Sequence, residues 1–345
     1  MSIYLDATRC RRTPRPPIWI MRQAGRYLAE YRAFRDKYGF LEMIRTPEIA
    51  AEITLQPIRR FGFDAAILFS DILTVADALG ADLNFVEAKG PVISNPVRSM
   101  SDLDQLVGHD LRDRLSYVTQ AIQALKPALG ATPLIGFSGA PFTVASYMIE
   151  GGSSRDLKTT KQLIYSQPET MEALMDRLVK STADYLNMQI EAGVDAIQIF
   201  DTWAGLLSYA EFQTWVIKPI RAILNRLRNP AGVPITLFAK GTALFWQDLV
   251  QLPVQVIGLD WQVDIGTMSR TIPAEFGVQG NLDPMVLYAT PEILEAKVNQ
   301  ILETMADRPG YIFNLGHGIL PDVDPAQVQR VVGLVHQFEN ERIRT

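Results

Sequence analysis

One cysteine, Cys10, stands among 345 residues, so the chain can close no internal disulfide and can hold no CxxC metal or redox pair. Histidines number three, His109, His317 and His336, and no HExxH places two of them on one helix face. His109 falls in a loop or connecting segment and His336 in the final helix, so no metal is expected. No GxGxxG follows the first apolar run and no P-loop occurs, which removes two common nucleotide-binding devices. Positive charge is in deficit: 33 Lys and Arg against 38 Asp and Glu give a net charge of -5. That is the wrong balance for a protein that displaces counterions from nucleic acid. No apolar run reaches the roughly 18 residues of a membrane helix, and the opening MSIYLDATRCRRTPRPP lacks the apolar core of a secretory signal. The expectation is a cytoplasmic protein.

What is present is a globular composition, 48% hydrophobic and 21% charged. Eight short apolar runs recur between turn residues: Pro17–Met21, Ala65–Ser70, Pro133–Ser138, Ala196–Phe200, Ile235–Ala239, Val256–Asp260, Phe276–Gly280 and Tyr311–Leu315. Near-continuous apolarity suits parallel strands covered on both faces. Amphipathic stretches lie between them, several opening on a Pro and closing on a Gly, as from Thr46 through Pro47 to Gly62, Pro168 to Gly193 and Thr290 to Gly310. The alternation predicts an α/β chain forming one (β/α)8 TIM barrel over residues 1–345, with a doubly wound open sheet as the alternative. Two additions are expected, an N-terminal extension before Pro17 and a hairpin inserted over Ala81–Val97.

Barrel active sites are built at the carboxyl ends of the strands. The residues there are Arg22 and Arg26, Asp71, Gly139 to Tyr147, Asp201 and Thr202, Lys240, Asp260, Asn281 and Asp283, and His317. Capping accounts for polar residues at such places as readily as catalysis does. The segment Met21–Arg35 stands out, with four arginines against the single acid Glu30. Several guanidinium groups together suit a ligand bearing several carboxylates or phosphates, although an Arg26–Glu30 pair on a solvated helix face is the plainer reading. At about 100° per residue, Arg26 and Arg35 would face opposite sides of one unbroken helix, and Gly25 allows a break only before Arg26. Asp71, flanked by Ile72 and Leu73, is either a helix N-cap or a carboxylate awaiting donors.

PIWIMRQAGRYLAEYR and IGFSGAPFTVASYMIEGG, followed in order by GLDW, QGNLDP and NLGHGILPD and with FSDIL between the first two, together resemble the signature regions of the uroporphyrinogen decarboxylase family. The resemblance extends over almost the whole chain. It implies a single-domain barrel, a homodimer with facing clefts, no metal and no organic cofactor. It implies conversion of uroporphyrinogen III to coproporphyrinogen III by loss of four acetate carboxyls as carbon dioxide, in haem and chlorophyll synthesis. Carried over by position, substrate binding falls to Arg22, Arg26, Arg35, Asp71, Tyr147, Phe200, Thr202 and His317, with Thr202 where some members have serine. Asp71, Arg22, Tyr147 and His317 are the catalytic candidates.

A substrate with eight carboxylates explains local positive charge on an acidic protein. Its four pyrrole N–H groups would meet Asp71, which would also stabilise the cation formed when a ring carbon is protonated. Arg22, Tyr147 and His317 are rival proton donors. Two other classes remain: a zinc-dependent methyltransferase, which needs a cysteine at its metal site, and a tetrapyrrole carrier without catalysis.

Overall fold

The computed structural model describes residues 2–86, 89–106, 111–229 and 231–338. His109 lies outside them. Among the described residues nine strands form: β1 (Ala66–Ile67), β2 (Leu83–Val86), β3 (Gly90–Ile93), β4 (Leu134–Gly139), β5 (Ala196–Asp201), β6 (Ile235–Ala239), β7 (Val256–Gly258), β8 (Gly277–Leu282) and β9 (Tyr311–Leu315). Seven make one parallel sheet in the order β1-β4-β5-β6-β7-β8-β9. Its strands are buried almost throughout, as the unbroken apolar runs require.

The eighth place belongs to Pro17–Met21. Ile18 pairs in parallel with Phe313 of β9; Trp19 N donates to the Phe313 carbonyl and Phe313 N to that of Pro17. On its other side the Ile18 carbonyl accepts from Asp64 N, just before β1. The sheet thus curls into a barrel. This first run makes a bridge rather than a full strand because Pro16 and Pro17 have no N–H and the chain leaves the strand direction at Arg22, φ 65°.

The helices follow the punctuation of the sequence. Pro47–Phe61, Pro168–Ala192 and Pro291–Met305 each begin with proline, whose absent N–H costs nothing there; the first two end on Gly62 and Gly193 in the left-handed conformation. The third stops at Met305, short of Gly310, which instead turns the chain into β9 at φ 76°. The inserted hairpin is β2 paired antiparallel with β3. The N-terminal extension has a packing role: helix Ile3–Ala7 buries Tyr4 completely, its hydroxyl facing Thr236 of β6 without hydrogen-bond geometry. Arg15 then clips the incoming chain to Asp64 through two hydrogen bonds of 2.7 and 2.8 Å. Among the described residues, no helix is long and apolar enough to cross a membrane.

Candidate active site

Arg22 leaves the first barrel position on a tight turn in which Gln23 N donates to the Ile20 carbonyl. A left-handed conformation costs an L-residue about 1–2 kcal/mol. Gln23 holds it in place, its Oε1 accepting from Ile20 N and its Nε2 donating to the Ala65 carbonyl. The Arg22 side chain lies against Gly318: a β-carbon added there would sit 2.5 Å from Arg22 Cδ. Arg22 is an exposed residue and enters no salt bridge among the described residues.

Asp71 follows β1 as expected. It is not the N-cap of helix Thr74–Ala78, a position held by Leu73 without any side-chain bond. Its Oδ1 instead accepts from Leu73 N at 2.8 Å in an Asx turn, and its carbonyl accepts from Thr74 Oγ1 at 2.7 Å. Oδ2 has no hydrogen-bond partner among the described residues. Burial raises its pKa above the ordinary carboxylate range, against the Leu73 N–H and the Arg22 charge, which pull it down. Behind it, Ser70 Oγ and Thr74 Oγ1 stand 3.1 Å apart with the buried Tyr185 hydroxyl aimed at them.

Tyr147 comes from helix Pro141–Glu150 and stacks on Trp203, ring centroids 4.1 Å apart and 21° from parallel. Its hydroxyl is pushed up to about 12, first by burial and then by the Asp71 charge, with Arg22 acting the other way. His317 follows β9 with no hydrogen bond to its ring among the described residues. Burial, then Arg22 and Lys240, depress it to about 4, so it is neutral at pH 7. Arg22 therefore acts on Asp71, Tyr147 and His317, which come from three other segments, and Asp71 acts on Tyr147.

Phe200, at the end of β5, meets Phe137 at 5.8 Å and Phe238 at 6.2 Å, and Phe238 in turn meets the His317 ring at 6.1 Å. These rings form an apolar wall beside the cluster. Thr202 is half-buried in the next loop, its hydroxyl without a hydrogen bond among the described residues. Arg26 is exposed and is not paired with Glu30, which bonds Arg60 at 2.8 Å instead. The helix begins only at Ala29, so the break falls after Arg26 rather than at Gly25. Arg35 ends that helix over the Phe40 ring at 5.9 Å, its Nη1 donating to the Tyr38 carbonyl at 3.4 Å. Arg32 donates to the carbonyls of Arg26 and Tyr27 and so fastens the turn. The structure thus links Asp71, Tyr147 and His317 through the charge of Arg22, brings Phe200 to the His317 ring by way of Phe238, and gives Arg26 and Arg35 no hydrogen bond or ion pair with these residues.

Other strand-end residues serve the loops themselves. Asp260 accepts from the backbone N–H groups of Gly241 and Gln262, Asn281 donates to the carbonyls of Asp260 and Val263, and Asp283 caps Pro284–Tyr288. Asp201 has a larger part. It is fully buried, its Oδ1 accepts from Thr143 Oγ1 at 2.6 Å, and Oδ2 has no hydrogen bond. Burial raises it to about 6, against the Thr143 bond and the neighbouring backbone amides. Thr143 Oγ1 also accepts from Trp203 N, which ties Asp201 to the ring stacked on Tyr147. The sequence marked Asp201 and Lys240 only as strand-end positions, and gave no sign of Trp203 and Trp261 beyond their place in the loop motifs. Cys10 lies at the opposite mouth of the barrel, its thiol donating to the Glu275 carbonyl just before β8. No group of three or more His, Cys, Asp or Glu among the described residues is arranged to hold a metal.

Residues 1–338 match the family model of uroporphyrinogen decarboxylase. Proteins named uroporphyrinogen decarboxylase share 48% identity over 334 residues in Chloroflexus aurantiacus (95% of this chain, 94% of that protein) and 46% over 339 residues in Geobacter metallireducens (98% and 99%). One from Ruthia magnifica shares 46% over 340 residues, covering 97% and 98%. Among solved structures, a methyltransferase from Methanosarcina mazei superposes with a TM-score of 0.81 at 19% identity, over 97% of each chain. At that identity the likeness concerns the fold alone.

Proposed function

From the premise that the chain belongs to the uroporphyrinogen decarboxylase family, and is a carboxy-lyase of porphyrin synthesis, we propose that it converts uroporphyrinogen III to coproporphyrinogen III, removing all four acetate carboxyls on the route to haem and chlorophyll. The observation that carries this reading is that Arg22, Asp71, Tyr147 and His317 all follow barrel strand positions at one mouth, with the charge of Arg22 acting on the other three. Asp71 Oδ2 accepts the inward pyrrole N–H groups while Oδ1 remains in its turn. Arg22, Tyr147 and His317 each present a donor to the substrate at neutral pH, and Arg26 and Arg35 meet carboxylates at its edge. Phe200 covers a face of the macrocycle, with Thr202 at its margin.

Each decarboxylation begins with a proton added to the ring α-carbon next to the one that bears the acetate, which makes a cationic pyrrolium. The bond from the acetate methylene to its carboxylate breaks, carbon dioxide leaves, and the electron pair neutralises the ring as an exocyclic methylene. A second proton on the methylene carbon gives the methyl group, and loss of the first proton from the ring α-carbon restores the pyrrole, so each acetate consumes one proton overall. Asp71 stabilises the pyrrolium by its fixed charge. The step needs no oxidant, and no cofactor is proposed.

We also take the 345 residues as one domain in a cytoplasmic protein, and as a homodimer. Leu206, Tyr209, Leu244, Met285 and Tyr288 are exposed in short helical segments that follow β5, β6 and β8 at the cleft end of the barrel, Leu244 at 85%. Such an apolar rim suits a second copy. Anaerobic incubation with uroporphyrinogen III, followed by separation of products by carboxyl number, tests the reaction. The four-carboxyl product is expected. Unchanged but tightly bound substrate would instead make the protein a carrier.

A further inference from the structure

Lys240 directly follows β6, where its backbone N–H donates to the Asp201 carbonyl at 2.9 Å and fixes the residue at the strand end. Its ammonium stands 5.0 Å from the centre of the Trp261 ring, and that ring meets His317 nearly perpendicularly at 6.1 Å. The side chain therefore lies in the cleft and not on the outer surface. It is half-buried, yet it makes no salt bridge among the described residues, whereas Lys126 and Lys161 pair with Asp195 and Glu211. The acid best placed by sequence, Asp260, has both oxygens engaged by the amides of Gly241 and Gln262. An indole face orients a cation and lowers its cost of partial desolvation, but it does not neutralise the charge.

We propose that Lys240 is a substrate-binding residue that holds one side-chain carboxylate of the tetrapyrrole, distinct from the carboxylates met by Arg22, Arg26 and Arg35. The assignment rests on the function proposed above. Lys240 reaches the same side of the site as His317 through the Trp261 ring, and both it and Arg22 act on that histidine, so the carboxylate held by Lys240 helps set which way the macrocycle is turned over Asp71. A single flexible ammonium can follow that carboxylate as successive acetates are presented, which a stacked or forked guanidinium does less readily.

The test uses Lys240→Gln and Lys240→Arg in the full chain. Binding of uroporphyrin III and of coproporphyrin III, unreactive oxidised forms with and without acetates, is read by quenching of tryptophan fluorescence. Lys240→Gln is expected to weaken uroporphyrin binding about tenfold and to flatten its dependence on salt, with Lys240→Arg restoring most of the affinity. In the anaerobic assay KM should rise more than kcat falls. Equal weakening for both porphyrins would identify the partner as a propionate, and weakening for uroporphyrin alone would identify an acetate. A folded Lys240→Gln that binds both as wild type overturns the assignment alone. Wild-type protein that binds neither porphyrin overturns the tetrapyrrole reading and this assignment with it.

Discussion

Two carboxylates at strand ends behave differently for reasons of a few ångströms. Asp71 keeps one oxygen for Leu73 N and leaves the other without a partner among the described residues, whereas Asp201 is fully buried with one oxygen held by Thr143, which also takes the backbone N–H of Trp203. The buried Asp201, raised from 3.8 to about 6, binds its proton more tightly in the folded state than in the unfolded one. It therefore contributes stability that is complete below about pH 4 and is lost as pH rises through 6. Asp201→Asn keeps an acceptor for the Thr143 hydroxyl and removes the titration. Thermal melts should show the wild type falling relative to Asp201→Asn between pH 4 and 6, and parallel profiles would contradict the assignment. The sequence exposed both aspartates as polar residues after apolar runs but did not distinguish them. Asp71 finds its amide two residues on, at Leu73, but the burial of Asp201 and its Thr143 partner depend on a segment distant in the chain.

Elements were more legible than contacts. Proline openings and left-handed glycine ends located helices Pro47–Phe61 and Pro168–Ala192, and unbroken apolar runs located the strands, because these signals lie within a few residues of the structure they dictate. The relation between Arg26 and Arg35 was not legible from helical geometry: Arg32 bonds to the carbonyls of Arg26 and Tyr27 and delays the helix to Ala29. Nor did NLGHGI reveal that Gly318 forms the bed of the Arg22 side chain. Gly318→Ala places a methyl 2.5 Å from Arg22 Cδ, so that side chain must move. The expected outcome is a loss of at least about tenfold in kcat/KM with a melting temperature within a few degrees of wild type. Unchanged kcat/KM would show that the position of Arg22 matters little.

At the scale of the molecule, the barrel brings chemistry from the segments after Met21, Phe69, Gly139 and Leu315 to one mouth, while helix Ile3–Ala7 and Cys10 occupy the other. Family membership and fold were readable because the motifs are long and occur in order; the homodimer remains an expectation that rests on resemblance, since exposure is a property of the folded surface. If the apolar rim joins two copies, Leu244→Asp should shift the sedimentation of the protein from dimer to monomer at micromolar concentration. A dimer that persists unchanged would place the interface elsewhere.

The central claim is that a fixed negative charge at residue 71 stabilises the cation formed on the substrate. Asp71→Asn retains the shape and the acceptor for Leu73 N but removes that charge. In anaerobic turnover with uroporphyrinogen III, the account predicts a folded variant that still binds uroporphyrin and loses at least about a hundredfold in kcat. Turnover close to wild type by that variant would contradict it.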